Sequence, residues 1–415
     1  MRFVDFFAGI GGFRRGLELS GHECVGFCEF DKFATASYTS MHLLNEEQRK
    51  QLSEIPQRKR QKEILKEEYR NGEWYAKDIR SVNAKDVPRA ECWCFGAPCQ
   101  DFSVAGRRAG LDGDRSSLVR EIFRLLEEQE EQNRPEWLIY ENVKGMLSSN
   151  RGLDYLSILS EMDRLGYDCE WQNINSKWYV PQNRERIYTI GHLRGYGRSK
   201  IFPVTGTDGE NSVFQSGNYM KTKTRENPNQ GRIYDADGIS PCLNKMDEGG
   251  REPSIVTKYF CDMNRGSGAN AAQDVYGVVC NSPTITIKEA TKKGVTKAKC
   301  GDSINLSSIN SKTRRGIVGI GIAQTLSTSC NQGTMVCCHD KNYIYAIWYE
   351  KYRCYVTIRK LTPKECFRLQ GWTDDYFEKA AFVNTDNQLY KQAGNGVTVN
   401  VVEAIGKKIK EYENN

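Results

Sequence analysis

The chain has 415 residues, enough to bury a full hydrophobic core and to divide into one large domain and one smaller one. Charged residues make up 27% and hydrophobic residues 39%, ordinary for a globular protein in water, and no apolar run approaches the length that crosses a bilayer. A formal net charge of +6 permits a polyanionic partner without demanding one.

Residues 1 to 31 predict strand, glycine turn, helix and strand: Arg2 to Phe7, then Ala8-Gly9-Ile10-Gly11-Gly12, then Phe13 to Ser20, then His22 to Glu29. In such a βαβ unit the glycines let backbone approach a ligand closely. An acid ending the second strand, here Glu29, can accept hydrogen bonds from ribose hydroxyls. Arg14 stands where the dinucleotide pattern carries its third glycine, so a nicotinamide cofactor is not indicated. The opening Phe3-Val4-Asp5-Phe6-Phe7 lacks the basic start and cleavage site of a signal peptide, and a cytoplasmic location is expected.

Residues 44 to 71 are dense in Glu, Lys, Arg and Gln, with apolar residues only at intervals such as Leu52, Ile55, Ile64 and Leu65, the pattern of a solvated helical insertion. Asp78-Ile79 follows, where a carboxylate at a strand end can meet an adenine amino group. Ala90 to Phe95 reads as a strand. It leads into Gly96-Ala97-Pro98-Cys99-Gln100-Asp101-Phe102-Ser103, in which Gly96 permits a sharp turn and Pro98 cannot continue a sheet ladder. Cys99 on that loop reads as a nucleophile, the alternative being a buried thiol packed as a small hydrophobe.

Ser116 to Glu128 has helical periodicity, Trp137 to Tyr140 is a buried-strand candidate ending in Glu141-Asn142-Val143, and Leu153 to Leu165 is an amphipathic helix. This alternation predicts a mostly parallel α/β sheet, in which ligands bind at the carboxyl ends of the strands. The glycine turn, Glu29, Cys99 and Glu141 all fall there. Gln182-Asn183-Arg184-Glu185-Arg186 opens a strand through Ile187 to Ile190, which would set Gln182, Arg184 and Arg186 on one face.

From about 195 to 355 the composition shifts to Gly, Asn, Ser, Thr and Lys with short strand-like pieces, predicting a loop-rich, mostly β second domain. Gly231 to Leu243 and Gly316 to Leu326 resemble each other as a partial internal duplication. Helical and strand signals like those of the first domain resume in Leu361 to Leu369 and Thr398 to Lys410. The expected organisation is therefore a first domain over 1–194, an inserted second domain over 195–355, and a return to the first over 356–415.

The fifteen cysteines are odd in number, scattered and without a Cys-x-x-Cys pair, which disfavours a disulfide framework or a zinc site. Reduced thiols in the cytosol fit best. Only four histidines exist, leaving little for a histidine base or metal site. A thiol, an acid beside an amide and a basic pair suit covalent attack on an electron-poor ring better than peptide hydrolysis.

Six blocks in order resemble the DNA (cytosine-5)-methyltransferases. They are Asp5 to Gly12, Gly96-Ala97-Pro98-Cys99-Gln100, Glu141-Asn142-Val143, Gln182 to Arg186, Arg359-Lys360-Leu361-Thr362 through Arg368-Leu369-Gln370-Gly371, and Gln392-Ala393-Gly394-Asn395-Gly396-Val397. The resemblance implies a methyltransferase Rossmann-like mixed sheet with helices on both faces, carrying a target-recognition domain. It also implies transfer of a methyl group from S-adenosylmethionine to C5 of a cytosine flipped out of double-stranded DNA.

By the same resemblance Cys99, Glu141, Arg184 and Arg186 are the catalytic set. Phe7, Ala8, Gly9, Ile10, Gly11, Gly12, Glu29, Phe30, Asp78, Ile79, Gly96, Pro98, Asn395 and Val397 hold the cofactor. Phe30 departs from the tryptophan often found at its place. Gln100, Ser103, Arg232, Arg314, Arg315, Thr325 and Leu326 are the expected DNA contacts, and Cys242-Leu243 is a divergent echo of the Thr325-Leu326 pair. A monomer without metal is expected, with a cognate restriction endonuclease as a candidate partner. Three rivals stand beside this reading. An RNA cytosine-5 methyltransferase is disfavoured by the large second domain, a silent DNA-binding relative by the presence of Cys99, Glu141 and Arg186, and a dehydrogenase by Arg14.

Overall fold

Alternation along three strands sets the architecture. In the strands that begin near Phe3, Cys92 and Trp137, successive side chains turn to opposite faces, and both faces are apolar. Phe3, Cys92, Cys94, Trp137 and Ile139 pack into one core, whereas Val4, Phe6, Trp93, Phe95, Leu138 and Tyr140 pack into the other. A sheet buried on both sides needs helices on both sides, and the sequence supplies them.

The structure, a computed structural model, describes residues 1–97, 118–197, 200–206, 215–218, 232–234, 239–243, 254–258, 285–288, 294–298, 303–305, 318–319, 332–334, 346–349 and 354–414. It divides into two compact units, the first made of Met1–Val213, Gly238–Arg251 and Thr362–Asn415, the second of Phe214–Asp237 and Glu252–Leu361. The segment Gly238–Arg251 thus groups with the first unit, an exchange for which a single insertion over 195–355 makes no provision.

The strands of the first unit are β1 (Arg2–Phe6), β2 (Glu23–Cys28), β3 (Trp74–Ala76), β4 (Cys92–Phe95), β5 (Trp137–Val143), β6 (Tyr167–Asn175) and β7 (Glu185–Leu193). They form one sheet in the order β3-β2-β1-β4-β5-β7-β6. β1 to β5 pair in parallel, and β7 runs antiparallel to both β5 and β6. The strand order reverses between β1 and β4, which opens a crevice at their carboxyl ends. This is the mixed sheet expected of the fold.

The helices are α1 (Gly12–Leu19), α2 (Lys32–Tyr38), α3 (Glu46–Ser53), α4 (Gln57–Glu63), α5 (Leu118–Glu128), α6 (Leu153–Arg164), α7 (Pro363–Leu369), α8 (Asp374–Ala381), α9 (Asp386–Asn395) and α10 (Val399–Glu413). α5 and α6 cover one face through Val119, Ile122, Leu125, Tyr155, Ile158 and Met162. α1 and α10 cover the other through Phe13, Leu17, Val401, Val402, Ile405 and Ile409.

The expected solvated insertion is helical, as α3 and α4, but not simply solvated. Leu52 and Ile64 are fully buried in a small core with Ala36, Tyr69 and Val383. Arg60 donates to the carbonyls of Leu52 and Phe382, and Gln57 to those of Ala381 and Asn384. The sparse apolar residues are an anchoring stripe against the segment that joins α8 to α9.

In the second unit the described residues form strands alone. Five of them make a sheet in the order Ala346–Tyr349, Cys354–Lys360, Ser254–Lys258, Arg232–Tyr234, Gln215–Asn218. A two-stranded and a three-stranded sheet account for the rest.

Candidate active site

The chain leaving β1 reverses through left-handed backbone at Phe7 (φ 56°), Gly9 (φ 57°) and Gly11 (φ 84°). Such φ values favour glycine, so Phe7 is an exception held by its surroundings. The Gly11 amide donates to the Ala8 carbonyl at 2.8 Å, and the Ala8 amide to Cys28 at the end of β2 at 3.1 Å. Gly12, the first residue of α1, matters for closeness: a Cβ there would lie 2.7 Å from the Val397 carbonyl oxygen. The turn is thereby pressed against the segment Asn395 to Val397 that joins α9 to α10.

Glu29 follows β2 and accepts from two amides, Gly9 on Oε2 at 2.7 Å and Asp31 on Oε1 at 2.7 Å. Burial raises its carboxyl above the ordinary range, and these amides work against that rise. Phe30 beside it is 63% exposed, an apolar ring open to a partner, with the Lys77 ammonium 5.9 Å from its centre. Asp78 follows β3, which pairs with β2. Its carboxylate holds Arg80 through both oxygens at 2.9 and 2.6 Å, which keeps it below the usual range. Ile79 is buried under it, Asn395 is exposed and Val397 half-buried. These residues, with Ala8, Ile10 and Gly96, line the carboxyl ends of β1 to β4 or the segment packed on Gly12. A carboxylate, an open aromatic ring and backbone brought close by glycine suit a nucleoside.

On the other side of β4, Glu141 lies in β5, nearly buried, and its Oε1 is 3.1 Å from Arg186 Nε. The pair is a diagonal one across β5 and the antiparallel β7, since Val143 lies opposite Arg186 and Glu141 opposite Tyr188. Gly96 abuts the same carboxylate: a Cβ on it would lie 3.2 Å from Glu141 Oε2. Asn142, next to the acid, points to the opposite face of the strand and bonds Tyr140 and the Val143 amide.

The expectation that Gln182, Arg184 and Arg186 share a strand face is corrected by the structure. β7 begins at Glu185, and Gln182 and Arg184 precede it as buried residues. Arg184 donates to three main-chain carbonyls, Leu243 at 2.9 Å, Gly394 at 3.2 Å and Gly396 at 2.8 Å. Gln182 donates to Leu369 and accepts from the Leu243 amide. Loops distant in sequence bury the pair, which strand periodicity cannot foretell. Arg184 therefore holds the 394–396 segment in place, whereas Arg186 meets the acid.

Cys242, noted in the sequence only as an echo of Thr325-Leu326, lies with its sulfur 3.6 Å from Arg184 Nη1 and 3.8 Å from Arg186 Nη2. Burial raises the thiol, but the two guanidiniums outweigh burial and leave it below its ordinary value. Arg14, read as a missing glycine, is a buried cation that donates to Glu73 at 2.6 and 2.8 Å, to Glu18 at 2.8 Å and to the Tyr38 hydroxyl at 3.2 Å. Asp5 lies buried beneath the turn, its carboxyl pushed well up by burial.

Pro98, Cys99, Gln100, Ser103, Arg314, Arg315, Thr325 and Leu326 lie outside the described residues. Arg232 is half-buried in the strand Arg232–Tyr234 of the second unit. Among the described residues no helix is long and apolar enough to cross a membrane, and no group of three His, Cys, Asp or Glu could hold a metal ion.

Comparison with known proteins matches the chain, over residues 1–67 and 57–411, to the family model described as C-5 cytosine-specific DNA methylase. The orphan methyltransferase M.SPRI of Bacillus phage SPR is 26% identical over 99% of this chain and 97% of its own length. The type II methyltransferase M.HhaI of Haemophilus parahaemolyticus is 34% identical over 46% of this chain and 48% of its own. The crystal structure of the S. pombe Dnmt2 methyltransferase superposes with a TM-score of 0.54 at 16% identity, covering 100% of both chains, which supports the fold.

Proposed function

The chain belongs to the C-5 cytosine-specific DNA methylase family, and from that premise we propose how its residues divide the methylation of cytosine C5 in DNA. The observation that carries the proposal is the Glu141–Arg186 pair, 3.1 Å apart, with Gly96 against the same carboxylate. Gly96 and Cys99 are three Cα–Cα steps apart, at most roughly 11 Å at full extension. A thiol, an acid and a guanidinium can therefore meet one flipped base.

Cytosine C5 is a poor nucleophile. Addition of the Cys99 thiolate to C6 would form the sulfur–carbon bond and move the ring π pair to C5, which would bond the methyl carbon as the methyl–sulfonium bond breaks and its electron pair stays on the donor's sulfur. Glu141 would hydrogen-bond N3 and the exocyclic amino group, which stabilises the protonated N3 that accompanies thiolate addition. Arg186 orients the base and offsets anionic character. A water acting as base would then take the C5 proton, and the pair left at C5 would re-form the C5–C6 double bond and expel the Cys99 sulfur as thiolate.

S-adenosylmethionine would be the donor, supplying a methyl group on an electrophilic sulfonium when bound. Glu29 would accept from the ribose hydroxyls, Phe7 and Phe30 would flank the adenine beside Asp78 and Ile79, and Asn395 and Val397 would meet the methionine end. Arg184 would keep that end in register with Arg186, since it bonds the carbonyls of Gly394 and Gly396. The second unit would read the DNA sequence, with Arg232 among its contacts. Duplex DNA is the substrate and a single chain the working unit, acting wherever that DNA lies. M.HhaI is named a type II methyltransferase and M.SPRI an orphan one, so a cognate endonuclease remains a candidate partner.

The test is adduct formation. Duplex DNA carrying 5-fluorocytosine, with S-adenosylmethionine, should trap the protein covalently, and Cys99→Ser should abolish trapping while still binding DNA. Trapping that survives Cys99→Ser would overturn the assignment of the nucleophile.

A further inference from the structure

His42 lies outside every role assigned above and reaches the glycine turn from beneath. α2 passes into one turn of π-helix over Thr39–Leu43, a widening common at functional sites. From there His42 Nε2 comes within 3.0 Å of the Ile10 carbonyl oxygen. The amide of the same peptide, on Gly11, donates to Ala8 at 2.8 Å, so the Ile10–Gly11 peptide is held at both ends. The ring also fills the space that a side chain on Gly11 would need: a Cβ there would lie 2.5 Å from Nε2.

The surroundings fix which nitrogen carries the proton. Tyr38, Trp372 and Tyr376 stand around the imidazole with ring centres at 4.8, 5.9 and 5.5 Å. The charged groups that bear on it most strongly are the cations Arg14, Arg15 and Lys379. A buried ring among cations stays neutral with one N–H, and a carbonyl can only accept, so the hydrogen is on Nε2.

We infer that His42 is a positioning residue for the cofactor turn: its Nε2–H fixes the Ile10 carbonyl and so holds the turn and the start of α1 ready for the methyl donor. This rests on the reading of the turn as the S-adenosylmethionine site. The competing account is packing of an aromatic ring in an aromatic cage. Two variants separate them, because His42→Gln keeps a donor without the ring and His42→Phe keeps a ring without the donor.

Calorimetric titration with S-adenosylmethionine should find His42→Gln within about threefold of wild type. His42→Phe should bind roughly tenfold or more weakly, since it leaves a buried carbonyl without a partner. Hydrogen exchange over residues 7–13 of the ligand-free protein should quicken in His42→Phe alone, with duplex DNA binding unchanged in both. If His42→Phe keeps its affinity while His42→Gln loses it, or if both match wild type, the inference is wrong. If the wild type binds no S-adenosylmethionine, the cofactor reading fails instead, and exchange still tests the hold of His42 on the turn.

Discussion

Arg184 and Arg186 stand two residues apart and do different work. Arg184 spends its head on three main-chain carbonyls in a buried setting, and lysine, a point charge on a flexible stem, cannot span them. Arg184→Lys should therefore lower unfolding free energy by roughly 2–4 kcal/mol, read from urea denaturation. Arg186 pairs with the nearly buried Glu141 and lysine keeps that charge, so Arg186→Lys should cost less stability than Arg184→Lys and slow turnover by about a hundredfold. Equal losses of stability in the two variants would contradict this division.

The buried histidines make stability depend on pH in a definite sense. His22, bonded to the Gly406 carbonyl, and His42 are both held below the ordinary imidazole value of 6.5, burial being the main cause. Below that pH the unfolded chain takes up protons that the folded one refuses, so each histidine removes up to about 1.4 kcal/mol of stability per pH unit. Asp5, Glu29 and Glu73, raised by burial, act in the opposite sense. The clean observable is the difference between proteins: from pH 7.5 to 5.5 wild type should lose more stability than His42→Gln. Parallel profiles would show that the folded His42 accepts a proton.

The pairing of α1 with α10 turns on a glycine. A Cβ at Gly16 would lie 2.5 Å from Val402 Cβ and 2.7 Å from the Val399 carbonyl oxygen, neither of which is the free end of a flexible chain. In an exposed helix interior, alanine is favoured over glycine by up to about 1 kcal/mol. Here the sign should reverse, with Gly16→Ala costing about 1–3 kcal/mol in a thermal melt because it forces the helices apart. A stabilised variant would mean that α10 can shift without loss.

Local rules made this part of the fold legible. β1, the glycine turn, α1 and β2 announce themselves because strand alternation, left-handed turn glycines and helical spacing are short-range signals, and Glu29 and Glu141 follow from the strand ends. Long-range burial was not legible. Leu52 and Ile64 look like stray apolar residues until Val383 arrives from more than three hundred positions away, and Arg184 looks like a strand residue until Leu243, Gly394 and Gly396 close over it. Cys242 escaped notice as a partner of both arginines for the same reason.

The first unit is assembled from three stretches of chain, and its last stretch completes the core rather than decorating it. Val401, Val402, Ile405 and Ile409 of α10 are wholly buried against Phe13 and Leu17 of α1, and Val397 backs the glycine turn. A protein ended at Leu361 would expose that face of α1 together with Phe3, Trp137 and Ile139 behind it, at about 25 cal/mol for each Å² of apolar surface returned to water. It should be recovered as aggregate, without a cooperative melt and without binding of S-adenosylmethionine. Co-expression with residues 362–415 as a separate chain should restore soluble complex and binding, because the interface is helix packing that needs no covalent link. A monomeric 1–361 fragment that melts cooperatively would show that the sheet closes its core without α10.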